Sequence, residues 1–216
     1  MQSKEVIIDF PLRGEWKALK SPGHHRFAYD FAAVGEHHKR ILSKSVFALL
    51  LGRATVADSY SWSELVYSPI SGRIIRAKDD WPDRHALNLL RDVGKLLAMN
   101  VTHPEDPDER LRAFAGNYVI IGSGGMYTFM AHLQQGSVQV EAEEEIRRGE
   151  QIGLVGNSGN TLGPHLHFQM MDGEDPLEAQ IVAFRLRNYE RWTGTEWQTV
   201  TLHTPEKGQC IRHAGT

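Results

Sequence analysis

The sequence predicts a mainly β fold with one helical insertion. Short apolar or alternating runs at 5–10, 27–33, 117–122, 126–133 and 151–155 are separated by turn residues. Most Gly and Pro sit between these runs. Helical spacing of apolar residues appears in only one stretch, within 79–112. Many short strands joined by Gly-rich turns indicate a β architecture.

In chain order, 5–10 read as a first strand, ended by Pro11 and Gly14. Ser21-Pro22-Gly23 is a turn, and 27–33 follow as a strand rich in aromatic and small residues. Asp30 lies inside that strand, between Tyr29 and Phe31. A carboxylate among apolar neighbours needs a cation, a set of donors or solvent. His24 and His25 come just before it. Even offsets share a strand face, which favours His24 as its companion. A bulge or turn favours His25. His37 and His38 fall in a polar loop and read as solvated, and 41–62 read as irregular.

Residues 64–77 read as strand, Pro-Ile-Ser-Gly turn, strand. Within 83–98, Leu87, Leu90, Val93 and Leu97 recur at mixed spacings of three and four, which predicts one amphipathic helix. A Pro/acidic loop over 103–108 closes this insertion. Residues 117–122 and 126–133 form a hairpin about Gly124-Gly125, and its second strand carries His132 among apolar neighbours. Residues 137–141 alternate as a strand. Late strands are expected over 184–189, 197–202 and 210–212.

Composition narrows the chemistry. A chain of 216 residues that is 41% hydrophobic can bury a core as a single unit over 1–216. A formal charge of −3 gives no warrant for nucleic acid. The single cysteine, Cys210, excludes an intrachain disulfide framework and a Cys-rich metal cluster. Any zinc must therefore be held by histidine and carboxylate. No apolar run is long enough for a membrane span, and 1–10 contain no secretory leader. The chain is expected to be periplasmic or extracellular if a leader has been removed, and otherwise cytoplasmic.

The chemistry centres on His165-Leu166-His167. On a strand, residues i and i+2 share a face, so both imidazoles leave one side of the sheet about 7 Å apart. Gln169 returns to that side. Gly153, Gly156, Gly159, Gly163 and Pro164 make the preceding segment a turn-rich loop that delivers a short strand.

The segment 153–168, Gly-Leu-Val-Gly-Asn-Ser-Gly-Asn-Thr-Leu-Gly-Pro-His-Leu-His-Phe, resembles the signature of the lysostaphin/LytM-type zinc endopeptidases, which cut bacterial cell-wall peptides. Phe27-Ala28-Tyr29-Asp30-Phe31 resembles their first metal segment, and Tyr127-Thr-Phe-Met-Ala-His132-Leu133 resembles their Tyr-x-His-Leu strand. The stretch from Glu145 to Gly153 resembles the turn before their Gly-rich loop. The resemblance covers roughly 21–78 and 117–172. It implies a compact, mostly antiparallel sheet with a groove along one face. It also implies zinc held by Asp30, His167 and one of His25 and His24, with His132 and His165 as the catalytic histidines. In the family the first histidine usually stands four residues before the aspartate, where this chain has Arg26. Of the two candidates, His25 is nearer to that place and is slightly favoured. The chain is thus expected to be a zinc metalloendopeptidase that hydrolyses peptidoglycan cross-links or glycine-rich peptides with metal-activated water. The alternative is a catalytically silent LytM-like protein that binds or regulates cell-wall hydrolases.

Overall fold

The computed structural model describes residues 6–19, 21, 24–35, 38–99 and 104–215. The Pro22-Gly23 part of the first turn, His37 and His103 lie outside the described residues. One twelve-stranded sheet dominates. Across it the strands run Val6–Ile8, Phe184–Trp192, Cys210–His213, Glu15–Ala18, Tyr29–Ala33, Leu166–Met171, Met126–Leu133, Asn117–Ser123, Gly72–Lys78 and Glu145–Ile146. Ile181–Val182 and Trp197–His203 pair beside this path. All pairings are antiparallel except that of Val6–Ile8 with Phe184–Trp192. The mainly β expectation holds.

Alternation along the strands sorts side chains to two faces. Trp16, Phe31, Val119, Met130, Leu166, Phe168 and Ile211 point to one side and form the main core. Tyr118, Ile120, Phe129, Ala131 and Met171 point to the other, where a helix covers them with Leu111 and Ala115. Asp30 and His167 share this second face, because the register pairs His167 with both Asp30 and Ala131. At one end, the face is thus roofed by the helix Pro107–Ala115.

Several local expectations need correction. The insertion holds two helices, Leu89–Met99 and Pro107–Ala115, not one. The first starts later than the spacing suggests, because Ala86–Leu87 is used as a strand paired with Ala54–Thr55. The second was legible: the Asp106 side chain accepts from the Glu109 amide and Pro107 occupies the first turn. A short helix, Val46–Leu50, lies in the stretch read as irregular. The two strands within 64–77 do not pair with each other: Leu65–Tyr67 pairs with Gln151–Leu154, and Gly72–Lys78 with Asn117–Ser123. Residues 137–141 alternate but form no strand, although Gln139 N–H donates to the Ile152 carbonyl at 2.8 Å.

Candidate active site

Strand pairing builds the centre. Asp30 and His167 are directly opposite one another on neighbouring strands, and His167 Nδ1 lies 2.8 Å from Asp30 Oδ1. His165 immediately precedes the strand Leu166–Met171, and its Nε2 lies 3.5 Å from the same oxygen. The other carboxylate oxygen, Oδ2, accepts from the Ser21 hydroxyl and lies 3.4 Å from His24 Nε2. Asp30 is therefore the hub. Burial alone would raise its carboxyl, but the charges and hydrogen bonds of His165 and His167 outweigh this and hold it well below the usual carboxylate range.

His132 reaches the centre by breaking strand parity. Along Met126–Leu133, alternation would send Met130 and His132 to the main core and Leu133 to the other side. Instead Leu133 is buried in the same cluster as Met130. The backbone of His132 is left-handed, at φ 63°, and the pairing with Asn117–Ser123 is irregular between Asn117 and Tyr118. The kink sends the imidazole to the site, with its ring centroid 4.7 Å from that of His165 and 6.1 Å from that of His167. A non-Gly residue in this region is strained and is held by its surroundings. Here Gly156 N–H donates to the His132 carbonyl at 2.9 Å. A Cβ on Gly156 would stand 2.4 Å from the Gln134 backbone, so only glycine allows the loop to come this close.

The Gly-rich loop also fixes which ring nitrogen carries the proton. His132 Nδ1 lies 2.9 Å from the Ser158 carbonyl, which can only accept. His165 Nδ1 lies 2.8 Å from the Gly163 carbonyl. It is also 3.1 Å from Thr161 Oγ1, whose own hydrogen goes to Gly163 at 2.7 Å. Both neutral imidazoles therefore carry hydrogen on Nδ1 and present a bare Nε2. Burial, followed by the nearby His165 and His167, holds His132 well below the usual histidine value. Burial also pulls His165 down, but the charge and hydrogen bond of Asp30 and the Gly163 carbonyl outweigh it, and His165 is raised.

His167 is different. Its Nε2 lies 3.1 Å from Gln169 Oε1. If Nε2–H donates there, Nδ1 and Asp30 Oδ1 are converging lone pairs, which a shared proton or a cation must satisfy. His24, Asp30 and His167 each offer a ligand atom, all within 4.8 Å of one another. Two imidazoles and one carboxylate suit a borderline cation such as zinc, whose tetrahedral ligand atoms stand about 3.3 Å apart. This donor set can hold a metal ion.

His25, the favoured companion of Asp30, is set apart. It is exposed, its Nδ1 accepts from the Phe27 amide at 3.3 Å, and its ring packs edge-on against Phe27. The reason is a turn in which Ala28 N–H donates to the His25 carbonyl at 3.0 Å. It turns the side chain of His25 away and leaves His24 over Asp30. Sequence reasoning missed Ser21, Ser158 and Thr161. It also missed Arg84, which donates to the Thr161 carbonyl and is paired with the buried Asp92 at 2.5 Å. Asp83 further ties down the loop by accepting from the Asn157 amide at 2.6 Å. Apart from the contacts of Thr161 with His165 and Gly163, these are bonds between segments apart in sequence and have no local pattern.

Residues 101–179, which contain His132, His165 and His167, match peptidase family M23. This stretch is similar to the M23 peptidases. The chain is 37% identical over 70 residues to the peptidoglycan DD-endopeptidase ShyA of Vibrio cholerae serotype O1, covering 32% of this chain and 16% of that protein. It is 41% identical over 69 residues to the DD-carboxypeptidase/endopeptidase Mpg of Neisseria meningitidis serogroup B, covering 32% of this chain and 15% of Mpg. The matched region is thus about a sixth of the length of these relatives. The catalytic domain of lysostaphin from Staphylococcus simulans aligns with 81% of this chain and 86% of its own at 16% identity, with a TM-score of 0.40. His24 and Asp30 fall outside the M23 match. Among the described residues, no helix is long and apolar enough to cross a membrane.

Proposed function

We propose that this chain is a zinc-dependent endopeptidase that hydrolyses peptide bonds in peptidoglycan cross-links or glycine-rich peptides. One observation carries the reading: three ligand atoms within 4.8 Å lie on a sheet face beside two histidines with bare Nε2 atoms. His24, Asp30 and His167 hold the metal in this reading. Bound zinc supplies polarisation of the scissile carbonyl and a water whose pKa falls to about 7. His165 Nε2, beside the Asp30 oxygen, would be placed to accept a proton from a water there and pass it to the leaving amine. The Gly163 and Thr161 oxygens keep its Nδ1–H in place during both transfers. His132, whose Nε2 is also bare, stands across from it as a second group able to accept a proton. The names of the M23 relatives support a peptidoglycan substrate, met outside the cytoplasm.

Metal analysis of protein purified without chelators tests this. About one zinc per chain is expected, as for a single three-residue site. Asp30→Ala and His167→Ala should lose both the metal and the hydrolysis of peptidoglycan fragments. His165→Ala should keep the metal and lose hydrolysis. The silent, hydrolase-binding alternative draws on the displaced first histidine, since Arg26 holds its usual place. Protein that takes up no zinc even on dialysis against it would establish that alternative.

A further inference from the structure

The face that carries Asp30 continues past the metal cluster toward the C-terminal strands. Asp30 and Ala32 alternate onto the same side, Ala32 is paired with Lys17, and Lys17 with Cys210. The opposite side of these strands is the main core, with Trp16, Phe31 and Ile211. Lys17 therefore stands on the same surface as the metal cluster, one strand over. The helix Pro107–Ala115 covers the far flank of this face. On the near flank lies a pocket of about 360 Å³.

Lys17 and Cys210 line this pocket, Trp192 and His38 wall it with rings 4.2 Å apart, and Lys207 and Gln209 come from the turn before the last strand. The pocket shares a wall with the metal cluster. Lys207 Nζ donates to the His25 carbonyl at 3.1 Å, next to His24. Two ammonium groups face one lining carboxylate, the exposed Glu206. The His38 ring is committed to Glu15, with Nδ1 2.7 Å from Oε2. The Cys210 thiol, pushed up to about 11 chiefly by burial, is neutral. The chemistry left over is a lysine beside an indole, half-buried and open to a ligand lying along the face. All its lining residues lie outside the M23 match.

We infer that this pocket is a carboxylate-binding subsite for the peptide substrate, with Lys17 supplying the charge and Trp192 the apolar wall. The assignment of the ligand as substrate rests on the peptidase reading above. A peptide held across the metal cluster and running over the strand Glu15–Ala18 places a terminal or side-chain carboxylate at Lys17. A charge-assisted bond in such a half-buried setting is stronger than one at an open surface. The subsite selects peptides with a free carboxylate over their amides.

The test uses the intact, metal-free protein and two alanyl peptides that differ only in a C-terminal carboxylate or carboxamide. Titration calorimetry should give at least a tenfold tighter Kd for the acid. Lys17→Met should abolish that preference, and Lys17→Arg should keep most of it. Trp192→Ala should weaken both peptides alike. Equal affinity of wild type for acid and amide, or a preference that survives in Lys17→Met, overturns the proposal. Because binding is read without turnover, the two readings can fail separately. Acid selectivity without hydrolysis keeps the subsite and removes the peptidase, whereas hydrolysis without acid selectivity does the reverse.

Discussion

The two halves of the centre are built differently. His167 lies on the strand Leu166–Met171 and His165 immediately before it, and that strand is flanked on both sides by other strands. His132 is fixed by a kink that a glycine and a serine hold in place. By contrast, His24 comes from a loop, with a side chain about one-third exposed, against 12% for His167. The strand-borne half has its geometry set by backbone ladders, and the loop-borne half by a turn and a few side-chain contacts. If the centre holds a metal as proposed, binding would have to order the loop-borne ligand more than the strand-borne ones.

The largest effect should come from the hub that both halves share. Asp30→Ala removes a ligand and the partner of three imidazoles, so bound zinc should be lost and hydrolysis should fall by about 10³-fold or more, the scale of the several kcal/mol a metal supplies. Retention of both would remove Asp30 from the site. The neighbouring pair splits the halves more finely. His24→Ala should weaken zinc by about 10- to 100-fold, whereas His25→Ala should change it by less than about twofold. Competition with a chelating dye reads both. Equal losses would mean that the turn at 25–28 rearranges to share the metal.

This contrast also explains what could be read from the chain alone. The His-x-His pair, Gln169 on the same side and the hairpin about Gly124-Gly125 follow from strand alternation and turn chemistry, which are local rules. His24 was not decided because parity has no force in a loop; the side chain's direction is set by the Ala28-to-His25 backbone bond. His132 was legible as a motif but not as geometry, since parity places it on the core face. The alternation at 137–141 misled because it signals only a half-buried segment, and this one is joined to the strand Gln151–Leu154 by one backbone bond, Gln139 to Ile152, rather than by a ladder. The brace from the insertion had no local signal at all.

That brace gives the next prediction, of intermediate size. Arg84 touches no reacting atom. It holds the Thr161 carbonyl, and the Thr161 hydroxyl accepts from His165. Its guanidinium is itself fixed by Asp92, which also accepts from the Asn88 amide at 3.0 Å and from Arg91 at 3.0 Å. Arg84→Ala should lower kcat by about 10- to 100-fold and leave zinc content unchanged, the usual range for an outer partner of a site. A shift in the pH profile of kcat/KM, partly restored in Arg84→Lys, separates positioning from mere loss of fold. An unchanged profile would assign Arg84 to stability alone. Asp92→Ala should destabilise the chain by about 3–5 kcal/mol, because it strips the counter-charge from a packed guanidinium.

The smallest effect tests the scaffold beside the loop-borne half. Cys210 is 7% exposed, and burial pushes its thiol up to about 11 from 9.0. At pH 8 the folded thiol is about 0.1% ionised, against about 10% in the unfolded chain, so alkylation by iodoacetamide should be at least about 100-fold slower in the native protein. The sign for stability follows from the same shift. Between about 9 and 11 the native state holds a proton that the unfolded state has released, so stability falls as pH rises through that window. Cys210→Ser should flatten this part of the melting curve against pH. Tyr189, raised to about 12 by burial, adds a similar decline at higher pH that the substitution leaves in place. Fast native alkylation at pH 8 would mean that the last strand opens readily. The wall that carries Lys207 to the His25 carbonyl would then be as mobile as the loop it supports.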